Sequence, residues 1–243
     1  MPPAVLKASP SARQLKRELT ALADPERAAG VTRFFKSGKG QYGEGDRFLG
    51  ITVPIQRKTA LRYRDLPLRE IEILLASPIH EIRFAALEIL VDQYERAAEP
   101  DREAIFSFYL QHTAGVNNWD LVDTSAPYIV GEHLKTRPRD LLDTLADSPI
   151  LWKRRIAIVS TLTLIKASEL DDTFRIAAKL LSDEHDLMHK AVGWALRETG
   201  KVSREALLRF LREHYSSIPR TALRYAIEHF PPETRKRMLA GKI

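Results

Sequence analysis

The chain has 243 residues, 44% of them hydrophobic and 29% charged, with a formal net charge of +6 and no cysteine. That composition is that of a soluble globular protein with enough apolar residues for a sizeable core, and it excludes disulfides, thiolate metal sites, iron–sulfur clusters and a cysteine nucleophile. No apolar run approaches the roughly 18 residues that span a bilayer, and the positive balance points to a polyanionic partner.

Met1 to Arg13 lacks an apolar stretch of signal-peptide length, so a cytoplasmic setting is expected. Residues 1–12 are expected to be a flexible N-terminal segment of one domain that runs through residue 243. Apolar residues then recur at helical spacing along the chain: Leu15, Leu19 and Leu22, then Ile71, Leu74 and Leu75, then Phe84, Leu87 and Leu90, and finally Leu207, Leu208 and Leu211. Strand-like alternation does not compete with them. Asp24-Pro25, Ser77-Pro78 and Ser148-Pro149 each put a capping residue before a proline at the first helical position. The fold class is therefore all-α.

The second helix ends at Phe34-Phe35, of which one ring is expected in the core and the other exposed. Residues 37–46 hold four glycines in ten positions and read as a flexible surface loop. Its Gly-Lys pair lacks the following Ser or Thr and the preceding strand of a phosphate-binding loop.

Beyond that loop the chain repeats itself. The segments around Arg83, Arg155, Lys190 and Arg220 align on a basic residue opening an apolar helix, and Asp120 falls in the same register. The steps between these anchors are 37, 35, 35 and 30 residues, near the roughly 40-residue length of a two-helix repeat. The expected architecture is a right-handed α-solenoid of about six HEAT-like helical pairs, each covering its neighbour's apolar face. Cations repeated on successive inner helices would line a groove able to follow a phosphate backbone.

All three tryptophans share a helical face with a charge: Trp119 with Asp123, Trp152 with Arg155, Trp194 with Lys190. Indole beside a cation suits a nucleic acid, whereas a carboxylate repels phosphate, so Asp123 needs its own explanation. Asp120 has one, since Asn117 or Asn118 can cap the helix and an acid in its first turn favours the dipole. For Asp123 the alternatives are a chemical role and a salt bridge to Arg155 or Arg154 of the next repeat. His185 and His189 are spaced as zinc-binding histidines are, but position 186 is Asp and no third ligand is evident, so they read as solvated or capping residues.

The residues resemble the AlkD-like DNA alkylation repair enzymes, HEAT-repeat glycosylases that remove cationic alkylated purines. The resemblance runs from about Leu15 to about Ile227. Phe48-Leu49-Gly50-Ile51 with Pro54 carries it, as do Trp119-Asp120-Leu121-Val122-Asp123 followed by Pro127 and Gly131, Trp152 through Arg155, and Ala191-Val192-Gly193-Trp194 with Leu196-Arg197-Glu198. It implies that Asp123 is the catalytic carboxylate, that Trp119 and Trp194 are its aromatic neighbours, and that Arg155 contacts the DNA backbone near the lesion. Phe34 stands where the family has a DNA-contacting tyrosine, and the glycine-rich stretch before Phe48 is longer than in the family.

The expected DNA contacts are Arg155, Arg154, Lys190, Phe34, Arg83 and Arg220. The expected partner is duplex DNA containing alkylated purines, met by a monomer without metal or cofactor and away from any membrane. A non-catalytic solenoid that binds damaged or branched nucleic acid, or a protein, is the alternative.

Overall fold

A computed structural model describes residues 10–242. Helices make up its regular structure. The one extended pairing among the described residues is an isolated bridge between Arg47 and Ile79, so the all-α expectation holds. Close contacts gather the chain into two compact units, one ending at Leu121 and the other beginning at Val122.

The first unit contains α1 (Ala12–Ala21), α2 (Pro25–Phe34), α3 (Val53–Ala60), α4 (Leu68–Leu75), α5 (His80–Arg96) and α6 (Asp101–Gln111), and it ends within α7 (Trp119–Ala126). A capping box starts α1, with the Ser11 hydroxyl accepting from the Gln14 main chain and the Gln14 side chain accepting from that of Ser11. Of the segment expected to be flexible, residues 1–9 lie outside the described residues. Its end belongs to the fold, because Ala12 is buried and its N–H donates to Glu70 Oε2 at 2.8 Å. Leu15 and Leu19 of α1, Ile71 and Leu74 of α4, and Ile82, Leu87, Ile89 and Leu90 of α5 are fully buried. α5 is the central helix here, with α3, α4 and α6 packed on it.

The second unit takes up the rest of α7 and continues through a π-turn (Pro127–Gly131) into α8 (Glu132–Leu134), α9 (Asp140–Ala146), α10 (Leu151–Lys166), α11 (Asp171–Leu180), α12 (Asp186–Val202), α13 (Arg204–Glu213), α14 (Arg220–Ala226) and α15 (Pro232–Leu239). α10 is buried over most of its length and contacts α9, α11 and α12, while α12 is covered by α13 and α14. Proline at 127 removes a main-chain donor inside a helical run, which widens the turn there. Hydroxyls of α10 satisfy the carbonyls at that point: Thr163 Oγ1 donates to Pro127 O at 2.6 Å and Ser160 Oγ to Ala126 O at 3.4 Å. Ser160 and Thr163, which interrupt α10's apolar run, thus tie it to the end of α7 and the π-turn.

Helix starts at two of the three Ser/Asp-Pro signals differ from expectation. Asp24 does cap α2, with Pro25 at its first position. Ser77 and Ser148 instead accept from the N–H groups of Ile79 and Ile150 in tight turns, and α5 and α10 begin at His80 and Leu151. Each turn is also held by a guanidinium six residues on, Arg83 to Ser77 O and Arg154 to Ser148 O. The structural equivalent of Arg83 is therefore Arg154, one residue away from the aligned Arg155.

Gly193 sets the closeness of α12 and α14. A Cβ built there would lie 2.5 Å from Tyr225 Cβ and 2.6 Å from Ala222 O. Gly193→Ala is expected to cost about 1–3 kcal/mol of stability by overpacking. Gly30→Ala, in α2 where nothing lies within 4 Å, should be neutral or stabilise by about 0.5–1 kcal/mol. Thermal melts of the two variants check this, and a Gly193→Ala protein that melts with the parent would refute it.

Candidate active site

Two groups of functional side chains converge, one in each unit. In the first unit α2 buries none of its residues, yet its end is fixed by aromatic packing. Phe35 stacks between Phe48, at 5.2 Å and 20°, and Trp119, at 5.2 Å and 15°. Phe34 is 66% exposed and meets Trp119 edge-on at 5.9 Å. Phe34 is the exposed ring, and it is the one the resemblance marked; Phe35, expected in the core, is only half-buried, because its neighbours are other rings at the surface of the unit rather than the helix core.

Beneath these rings lies a buried charged network. His80, 3% exposed, faces two carboxylates: its Nε2 is 2.8 Å from Asp120 Oδ2 and its Nδ1 3.2 Å from Asp46 Oδ2. Asp46 also accepts from Arg83 Nη2 at 2.6 Å and from Asn118 Nδ2 at 3.2 Å, and Asn118 Oδ1 in turn accepts from the Trp119 main chain at 2.8 Å. Burial alone would push the His80 imidazolium down, but its hydrogen bonds to Asp120 and Asp46 overcome this and hold it at about 9. Burial likewise opposes the Asp46 charge, yet the His80, Arg83 and Asn118 partners keep its carboxyl below the usual range. The glycine-rich stretch is therefore not a free loop. Its last residue is one of the most tightly bound carboxylates in the unit, and Gly43 N–H donates back to Lys36 O. Sequence reading passed over His80 and Asp46, which carry no motif of their own.

In the second unit Asp123 and Arg155 form a two-pronged ion pair, Nε to Oδ1 at 2.9 Å and Nη2 to Oδ2 at 2.8 Å. Arg155 Nη1 donates to Leu187 O at 2.8 Å, which anchors the guanidinium to the start of α12. Asp123 opens onto a cleft of about 220 Å³ lined by Pro127, Tyr128, Leu162, Ile165, Lys166, Trp194 and Glu198. The helix that carries Asp123, the π-turn, α10 and α12 all contribute to it. Asp123 and Trp194, 71 residues apart in the sequence, are brought to one cavity. Trp119 lies four residues before Asp123 on the continuous helix α7.

Other expected DNA contacts are placed differently. Arg83 is 3% exposed and bound to Asp46 and Ser77 O, and Arg155 is 5% exposed and bound to Asp123. Both guanidinium groups are directed inward, so neither presents a surface cation: Arg155 makes the salt bridge that was the alternative for Asp123, and Arg83 meets Asp46, an acid that the repeat register did not reveal. Arg154 is committed to Asp183 at 2.6 Å and to the Ser148 and Pro149 carbonyls. Lys190, 41% exposed, bridges to Asp186, and Arg220 is exposed and donates to Leu239 O. Trp152 is core. His185 caps α12 by accepting from Leu187 N, and His189 approaches Asp183 O. No cluster of three or more His, Cys, Asp or Glu suited to a metal ion occurs among the described residues, and no helix there is long and apolar enough to cross a membrane.

A helical protein with a paired carboxylate beside an indole, in a chain of net positive charge, fits an enzyme acting on a polyanion. The family model for the DNA alkylation repair enzyme matches residues 15–230, and the chain belongs to that family. A solved structure described as a predicted DNA alkylation repair enzyme from Enterococcus faecalis superposes with a TM-score of 0.67 at 20% identity, covering 86% of this chain and 97% of the other. That likeness extends to the fold. No curated protein sequence matches the chain.

Proposed function

We propose that the chain is a DNA glycosylase that hydrolyses the N-glycosidic bond of cationic alkylated purines, 3-methyladenine and 7-methylguanine, in duplex DNA and leaves an abasic site. The observation that carries this reading is Asp123 itself: a carboxylate fixed in orientation by Arg155, opening onto a cleft it shares with Trp194. In glycosidic cleavage positive charge develops on the sugar, and a carboxylate aimed at it stabilises that charge. Water attacks the anomeric carbon as the C–N bond breaks; the bonding pair moves to the base and neutralises it, and the proton that the water loses as it becomes the sugar hydroxyl passes to solvent. An alkylated purine already carries the positive charge that an acid would otherwise supply, so one carboxylate suffices. The face of Trp194, which lines the same cleft, favours the same cationic species.

On this reading the helical pairs are HEAT-like repeats of a right-handed α-solenoid that works as a monomer. Phe34, Lys190 and Arg220 are its accessible DNA contacts. The Asp123–Arg155 pair also favours a second reading, in which the carboxylate only neutralises a buried guanidinium and the protein binds damaged nucleic acid without cutting it. Incubation with methylated duplex DNA, followed by chromatography of the released bases, separates the two. Release of 3-methyladenine or 7-methylguanine above the spontaneous rate is the expected result; tight binding with no release would establish the second.

A further inference from the structure

We propose that His80 is a positioning residue: through Asp120 it fixes the first turn of α7, and through Asp46 and Asn118 the main chain at Trp119, so that the Trp119 indole is held against Phe35 and Phe34 as one aromatic shelf. This rests on the reading of α7 as the helix that serves the reaction, although the geometry behind it lies wholly within the first unit.

Both imidazole nitrogens of His80 meet carboxylate oxygens, at 2.8 and 3.2 Å. A ring that donates at both nitrogens is an imidazolium. The rings above it complete the arrangement, since Phe35 and Phe48 lie 4.8 and 4.9 Å from the imidazole centroid, where an aromatic face favours a cation. The neighbouring residue of α5 works in the same direction: the Glu81 carboxylate accepts from the N–H groups of Leu49 and Gly50, which fixes the chain that carries Phe48. One turn of α5 thus supports the whole shelf. The charged groups facing His80 are Asp46 from the loop, Asp120 from α7 and Arg83 from its own helix.

Loss of the imidazolium proton has a defined consequence. One ring nitrogen would then present a lone pair to a carboxylate oxygen, and one contact must open. Asp46 keeps its Arg83 and Asn118 donors, whereas the other oxygen of Asp120 is buried without a hydrogen-bond partner. Asp120 is therefore the group that moves, and with it the start of α7. The folded-state value of about 9 lies above the 6.5 of a free imidazole. The support from His80 is accordingly complete below about pH 6.5 and is lost as the pH rises through about 9.

The test uses the full-length protein labelled with 5-fluorotryptophan, with the Trp119 resonance assigned by Trp119→Phe. In the free wild-type protein that resonance should shift between pH 7 and 10 with a midpoint near 9. In Asp120→Asn the midpoint should fall by about one unit or more, since the largest contribution holding the proton is gone. In His80→Gln the transition should vanish. Single-turnover base release should show an alkaline limb with the wild-type midpoint. His80→Gln should lower the release rate about tenfold at pH 7, with DNA affinity held within about twofold, the pattern of a displaced rather than a missing group. A Trp119 resonance that does not respond in the wild type, or an alkaline limb that survives unchanged in His80→Gln, would overturn the proposal. Should wild-type protein release no base at all, the glycosylase reading fails, while the Trp119 titration still decides the role of His80.

Discussion

Asp123→Asn is expected to lower the rate of base release by about 10²-fold or more, the scale of losing one preorganised electrostatic contact in a transition state. Asparagine keeps the shape and still offers one oxygen to Arg155, so the cleft should persist. DNA affinity should hold or rise, because a negative charge has left a basic protein. The ion pair complicates this experiment, since removing one partner of a buried pair leaves a charge uncompensated at a cost of about 3 kcal/mol or more. Thermal melting must therefore accompany the kinetics. A double change, Asp123→Leu with Arg155→Met, removes both charges and restores the electrostatic balance. If Asp123 serves only to neutralise Arg155, the single variant loses stability and the double variant regains both stability and function. If Asp123 faces the reacting sugar, the double variant refolds and stays inactive. Unchanged release of 7-methylguanine by Asp123→Asn would sink the assignment outright.

The same pair shows where the sequence ceased to be informative. Arg154 and Arg155 are adjacent and identical in type, yet one closes on Asp183 and the other on Asp123. Helical spacing states which face a side chain leaves from, not which acid it meets. The repeat register placed basic residues at the openings of helices, and Arg83, Arg155, Lys190 and Arg220 do lie near the starts of α5, α10, α12 and α14. It failed as a description of exposure at Arg83, whose partner Asp46 lies 37 residues away in the glycine-rich loop. That loop misled for the same reason, since its glycines describe local freedom and its terminal carboxylate is fixed by His80 and by Asn118, 34 and 72 residues distant. By contrast, Trp119, Asp123, Gly193 and Trp194 could be singled out from the chain. One-turn spacing marked Trp119 and Asp123, and the motif shared with the family marked Gly193 and Trp194; that Gly193 lets α12 and α14 approach closely is visible only in the structure.

If the charge of the lesion replaces a general acid, release should follow that charge. 3-Methyladenine and 7-methylguanine should leave readily, while hypoxanthine, uracil and 8-oxoguanine should leave at least about 10³-fold more slowly, a gap comparable to the contribution of a positioned proton donor. The cleft beside Asp123 supports this expectation. Its other carboxylate, Glu198, lies between Lys201 and two nitrogens of Arg197, and its carboxyl is held below the usual range. Burial opposes the Glu198 charge, but the Lys201 and Arg197 partners outweigh it. A group held in its ionised form is a poor acid at neutral pH, so Glu198 is not suited to protonate a departing base. Single-turnover release across the lesion panel at pH 7, with DNA in every case saturated by protein, measures the ratio directly. Excision of hypoxanthine within about tenfold of 7-methylguanine would mean that a proton donor acts in this cleft. Glu198→Gln would then distinguish it from the leaving group's own charge: a fall confined to neutral lesions identifies Glu198 as that donor, and a fall on neither class removes it.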